Sequence, residues 1–128
     1  MNQALLAALA KAQGKAKVGI VNSLGERCCK AATAEVAKCA ASSDQVLCGA
    51  AVSALGKIGG SEAAKALDKA KGSAPDALKL AVYDALLKVA DKMVAEGNKA
   101  EARKIYIGLN RQGMPAHVRA AAIAGISK

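Results

Sequence analysis

Leucine recurs at positions 24, 55 and 86, an interval of 31 residues. Ile20, Ala51 and Val82 keep that interval, and so do Leu5, Val36 and Leu67. A fixed interval of this length marks a repeat architecture, in which each unit buries its apolar face only against its neighbours. In the middle unit, Val52-Ser53-Ala54-Leu55-Gly56-Lys57-Ile58-Gly59-Gly60 reads as the end of a buried helix followed by a stop. Val21-Asn22-Ser23-Leu24-Gly25 and Tyr83-Asp84-Ala85-Leu86-Leu87 are its counterparts one interval to either side.

The unit is helical. The chain is 53% hydrophobic, rich in alanine and without Phe or Trp, a composition suited to closely packed helices. Leu5, Leu6 and Leu9 make one amphipathic stripe, and Val18, Ile20, Val21 and Leu24 make another. The spacing predicts four antiparallel hairpins, 2–13 against 15–25, 30–41 against 45–58, 61–71 against 75–96, and 98–110 against 115–127. Gly14 turns the first, and Ser42-Ser43-Asp44 joins the second with Ser43 or Asp44 as N-cap. Gly59-Gly60 ends the fourth helix, and Pro75 suits the first turn of the sixth. In the third unit Leu87 replaces the glycine found at 25 and 56, so the stop is lost and the helix runs on to Gly97. Asn98 with Glu101 resembles a capping box. The expectation is an all-α, right-handed α-solenoid of four helical hairpins forming one domain over residues 1–128.

No apolar run approaches the length of a membrane span, and no signal-peptide pattern is visible. Residues 1–3 run straight into helix, as in a segment excised from a longer protein. The formal charge is +9, with the excess at the two ends. Lys11, Lys15 and Lys17 precede the first acid, Glu26, and no acid follows Glu101. Such a balance fits a solvated, soluble surface, and it permits salt-sensitive binding to nucleic acid.

Leu47-Cys48-Gly49-Ala50-Ala51-Val52-Ser53-Ala54-Leu55-Gly56-Lys57-Ile58-Gly59 resembles the second helix of a HEAT repeat. That pattern is Val-Arg, small residues, then Ala-Leu-Gly-x-Ile-Gly. Val118-Arg119-Ala120-Ala121-Ala122-Ile123-Ala124-Gly125-Ile126 is similar to its first part, with Arg119 in the arginine slot. The slot holds Lys17, Cys48, Lys79 and Arg119 in turn. The short interval is similar to that of the bacterial HEAT-like repeats of phycobilin lyases. The resemblance covers nearly the whole chain. It implies a non-enzymatic scaffold that binds another protein, with the second helices lining the concave face.

Candidate chemistry is sparse. Cys28, Cys29, Cys39 and Cys48 all lie in or beside the second hairpin, but about ten residues of helix, roughly 15 Å, separate the first pair from Cys39. One tetrahedral thiolate site does not span that distance. All four are read as thiols with no metal or cofactor, Cys39 beside Cys48 across the turn. Cys28 and Cys29 align with Gly59 and Gly60, in an exposed loop that suits a reducing, cytoplasmic compartment. His117 is the only histidine and reads as a surface residue. Asp84 with Asp91, and Asp68 with Glu62, read as solvated helix charges. Tyr83 and Tyr106 are the only aromatic residues, and Tyr83 aligns with Val21 and Val52 at positions that read as buried, so stacking on bases has no evident platform.

Two positions past each core set lie Asn22, Ser53 and Asp84, and then Glu26, Lys57 and Lys88. A step of two turns a helical side chain about 200°, away from the core. These six residues, flanked by Ala50 and Ala81, are the candidate partner-binding surface. The alternatives are a weak, salt-sensitive nucleic-acid binder, or an engineered or truncated helical scaffold. The solenoid ends, with Leu5, Leu6 and Leu9 at one and Ile105, Ile107, Ile123 and Ile126 at the other, are expected to self-associate.

Overall fold

The computed structural model describes residues 4, 7, 8, 11, 14–28, 30–41, 44–73, 76–110 and 114–126. Among them no strand occurs. Helix α1 (Lys15–Glu26) is followed by a 3-10 turn (Lys30–Ala32), α2 (Thr33–Ala40), α3 (Gln45–Ile58), α4 (Gly60–Ser73), α5 (Asp76–Ala95), α6 (Lys99–Leu109) and α7 (Ala116–Ile126). The helix expected over 2–13, with Leu5, Leu6 and Leu9, falls largely outside the described residues, as do Cys29, Ser43 and Pro75. Helices α1, α3, α5 and α7 pack side by side in one layer, while α2, α4 and α6 bridge them on the other side. The result is an α-solenoid.

Local chemistry explains most helix ends. The Asp44 carboxylate accepts from the backbone N–H of Val46 at 3.0 Å and of Leu47 at 3.4 Å, capping α3. At the far end of α3 the chain takes a left-handed turn at Gly59, φ 72°, and α4 begins at once. One interval earlier Cys28 holds the same left-handed region at φ 50°, which glycine adopts without cost and cysteine does not. The second hairpin does not open as a continuous helix. A 3-10 turn comes first, held by the Thr33 hydroxyl donating to the Lys30 carbonyl at 2.7 Å. Helix α5 has 20 residues and spans about 30 Å. It runs on because Ala90 and Asp91 stand where Gly59 and Gly60 stand one interval before. It stops at Gly97, φ 87°, where Asn98 N–H reaches Met93 O at 2.8 Å and Gly97 N–H reaches Val94 O at 3.0 Å. That is a Schellman closure. The expected capping box does not form, since the Asn98 side chain caps nothing at α6.

Two glycines expected to stop helices do something else. Gly25 and Gly56 lie inside α1 and α3, buried against the next helix of the layer. A Cβ on Gly25 would sit 2.8 Å from Ala54 Cα, and one on Gly56 would sit 3.3 Å from Ala85 Cα. Their missing side chains let consecutive repeats approach backbone to backbone. The leucine ladder Leu24, Leu55 and Leu86 is buried as expected, with Ala51 and Val82, whereas Ile20 is only half-buried. Fully burying each leucine contributes about 1.5–3 kcal/mol. Tyr106, on α6, is the largest buried side chain and lies across Gly125 of α7. Its hydroxyl donates to the Asp91 carboxylate of α5, and burial and that bond hold the phenol well above its ordinary pKa.

Candidate functional site

The six candidate residues sit on three neighbouring helices of one layer: Asn22 and Glu26 on α1, Ser53 and Lys57 on α3, Asp84 and Lys88 on α5. All six are exposed, because each lies on the side of its helix opposite the buried Leu24, Leu55 or Leu86. Ala50 between them is half-buried and Ala81 is exposed. The structure brings several of them together. Lys57 forms an ion pair with Glu26, one interval away and at the same height on the adjacent helix. Both partners are well exposed, so the pair contributes at most about 1 kcal/mol. Ser53, Asp84 and Lys88 line a recess of about 200 Å³ floored by Ala81 and Ala85. Lys88 has no ion pair among the described residues. Two larger cavities, about 390 and 220 Å³, lie among the bridging helices, flanking α4.

His117 joins this face. Its Nε2 lies 3.7 Å from Asp84 Oδ1. The sequence places His117 at the surface, which is correct, but not beside Asp84. That neighbour sits 33 residues away, whereas matching positions of the third and fourth units are 39–40 apart, as Leu67 and Tyr106 or Lys79 and Arg119 are, so the contact joins non-equivalent turns of α5 and α7. A search for partners at a strict 31-residue spacing passes over it.

The backbone beneath Lys57 is anchored from both sides. Its carbonyl accepts from the Cys28 thiol at 3.3 Å and from the Lys92 ammonium at 3.0 Å, and Lys92 also reaches Ile58 O at 3.1 Å. Side chains from the preceding and following repeats thus satisfy carbonyls that the end of α3 leaves open.

Cys28, Cys39 and Cys48 are free thiols, the first exposed and the others buried. Cys48 donates to the Ala40 carbonyl at 3.1 Å, which places it beside the end of the Cys39 helix. Burial raises the pKa of Cys39 and of Cys48, so neither is primed as a nucleophile. No cluster of three His, Cys, Asp or Glu side chains suited to a metal ion occurs among the described residues. Tyr83 is half-buried and Tyr106 buried. Among the described residues no helix is long and apolar enough to cross a membrane.

The family model for HEAT repeats matches residues 2–87. The chain belongs to the HEAT-repeat family. The matched segment contains five of the six candidate residues and ends within α5, one residue before Lys88 and ahead of the final hairpin. HEAT repeats commonly form scaffolds for protein interaction and are typically non-catalytic. No curated protein and no solved structure matches the chain, so the likeness to phycobilin-lyase repeats rests on the repeat length alone. In this HEAT array the α1–α3–α5 face is polar and rests on close glycine–alanine contacts.

Proposed function

We propose that this HEAT-repeat chain acts as one domain over residues 1–128 and is a non-enzymatic scaffold that binds another protein. Its binding surface is the concave face carrying Asn22, Glu26, Ser53, Lys57, Asp84 and Lys88. The observation that supports the reading is their common exposure on one face, at repeat-related positions whose chemistry changes from unit to unit. A merely structural ladder would not need that variation, whereas a partner-reading surface does. Ala81 and Ala85 floor the recess between Ser53 and Lys88, and their small size lets a partner backbone come close. The exposed Cys28 thiol suits a reducing, cytoplasmic setting.

The test is affinity capture from the native cell with the wild-type chain and with Ser53→Glu/Lys57→Glu. The double variant is expected to lose the retained protein while its helicity and melting temperature stay nearly unchanged. Retention by the double variant overturns the assignment of the face. Micromolar or tighter binding of duplex or single-stranded DNA at physiological salt would instead favour a nucleic-acid reading.

A further inference from the structure

The last hairpin ends the described stack with a face that earlier units turn toward a neighbour. Burial shows the correspondence between α4 and α6. Ala63, Leu67 and Ala70 point inward on α4, and Ala102, Tyr106 and Leu109 do so 39 residues later. On α4, Ala64 and Asp68 line the cavity shared with α6. The same offset carries these positions to Arg103 and Ile107, both exposed. On α7, Val118, Ala122 and Gly125 are buried, leaving Arg119 and Ile123 exposed. Each helix of the hairpin therefore presents an arginine and, one turn on, an isoleucine. Ile107 is 55% and Ile123 50% exposed, two of the four large exposed apolar side chains among the described residues. Neither Arg103 nor Arg119 forms an ion pair among the described residues.

We propose that this end face, distinct from the concave one, docks an acidic amphipathic helix of another protein, stacked as a following repeat would be. Its apolar residues cover Ile107 and Ile123, and its flanking carboxylates take the two guanidinium groups. The continuity of the stacking interface argues for a helix as the occupant, and charge argues for an acidic one. The isoleucines alone would suit the self-association expected from the sequence, but a second copy of the chain meets repulsion here. From Ala102 to Lys128 there is no acidic side chain, so a two-fold contact would set arginine against arginine. Arginine is enriched among the residues that carry binding energy at protein interfaces, and its planar fork suits carboxylate.

The experiment measures fluorescence anisotropy of a labelled peptide with the full chain. The peptide, about 20 residues of Leu, Ala and Glu, is long enough to hold a helix, with leucine on one face and glutamate on its borders. Its counterpart carries Lys in place of every Glu. The acidic peptide is expected to bind and the basic one not. Arg103→Glu/Arg119→Glu and Ile107→Ser/Ile123→Ser should each weaken binding about tenfold or more. Arg103→Gln/Arg119→Gln should weaken it by about threefold, and serves should the charge reversal unfold the chain. Lys15→Glu/Lys30→Glu changes net charge equally at exposed sites outside this hairpin, and should stay within about twofold of wild type. Ser53→Glu/Lys57→Glu should leave this binding intact, which separates it from the concave-face reading. Equal losses in the distant lysine control would reduce the effect to bulk charge and overturn the proposal. So would absent binding, equal binding of the basic peptide, or a dimer of the chain alone that the arginine and isoleucine variants dissolve.

Discussion

Replacing Gly25 with alanine should destabilise the chain, although alanine is the better helix former. The same substitution at Gly19, six residues earlier in α1, should stabilise it. A Cβ at Gly19 meets nothing within 4 Å. There the change gains only helix propensity, about 0.8–1 kcal/mol in a helix interior. At Gly25, the penultimate residue of α1, the propensity gain is smaller, about 0.5 kcal/mol. Against it stands a Cβ placed 2.8 Å from both Cα and Cβ of Ala54. One of those atoms is backbone, so relief requires α1 and α3 to move apart, and overpacking of this kind costs about 1–3 kcal/mol. The net loss is about 1–2 kcal/mol, or a melting temperature lower by roughly 4–8 °C at this chain length. Gly56→Ala, with its nearest Ala85 contacts at 3.2 and 3.3 Å, should fall between the two. Urea unfolding followed by circular dichroism gives all three values if the slopes agree. Stabilisation by Gly25→Ala equal to that by Gly19→Ala would refute the claim that bare glycine backbone sets the spacing of the repeats.

Tyr106→Phe should cost about 1 kcal/mol through loss of the hydroxyl bond to Asp91. Because the folded chain raises the phenol pKa above 10, Tyr106 stabilises it fully below pH 10 and loses that contribution as the pH rises further; the phenylalanine variant should show a shallower alkaline loss in pH-dependent denaturation. Asp44→Ala removes the acceptor for two backbone N–H groups of α3 and should cost about 1 kcal/mol, read as a lower denaturation midpoint. With a thiol reagent, mass mapping should find Cys28 modified in the native chain, and Cys39 and Cys48 modified only at the rate of unfolding.

Local signals carried far into the fold. The leucine ladder, the Asp44 cap and the Gly59 stop all act within one or two helical turns, so they can be read along the chain without knowing its neighbours. The exposure of Asn22, Glu26, Ser53, Lys57, Asp84 and Lys88 follows from the same helical geometry. The role of Gly25 and Gly56 was not legible in this way. A glycine near a helix end looks like a stop from the sequence, and only the approach of Ala54 and Ala85 shows that its missing side chain is used for packing. The pairing of Glu26 with Lys57 required the helices to sit at equal height, and the nearness of His117 to Asp84 joins turns that the repeat does not align. Sequence alone determined where helices form and which side of each is apolar, because backbone hydrogen bonding and burial repeat with helical period. Tertiary structure decided the axial offset between helices, because side chains far apart in sequence set it, such as Tyr106 lying across Gly125.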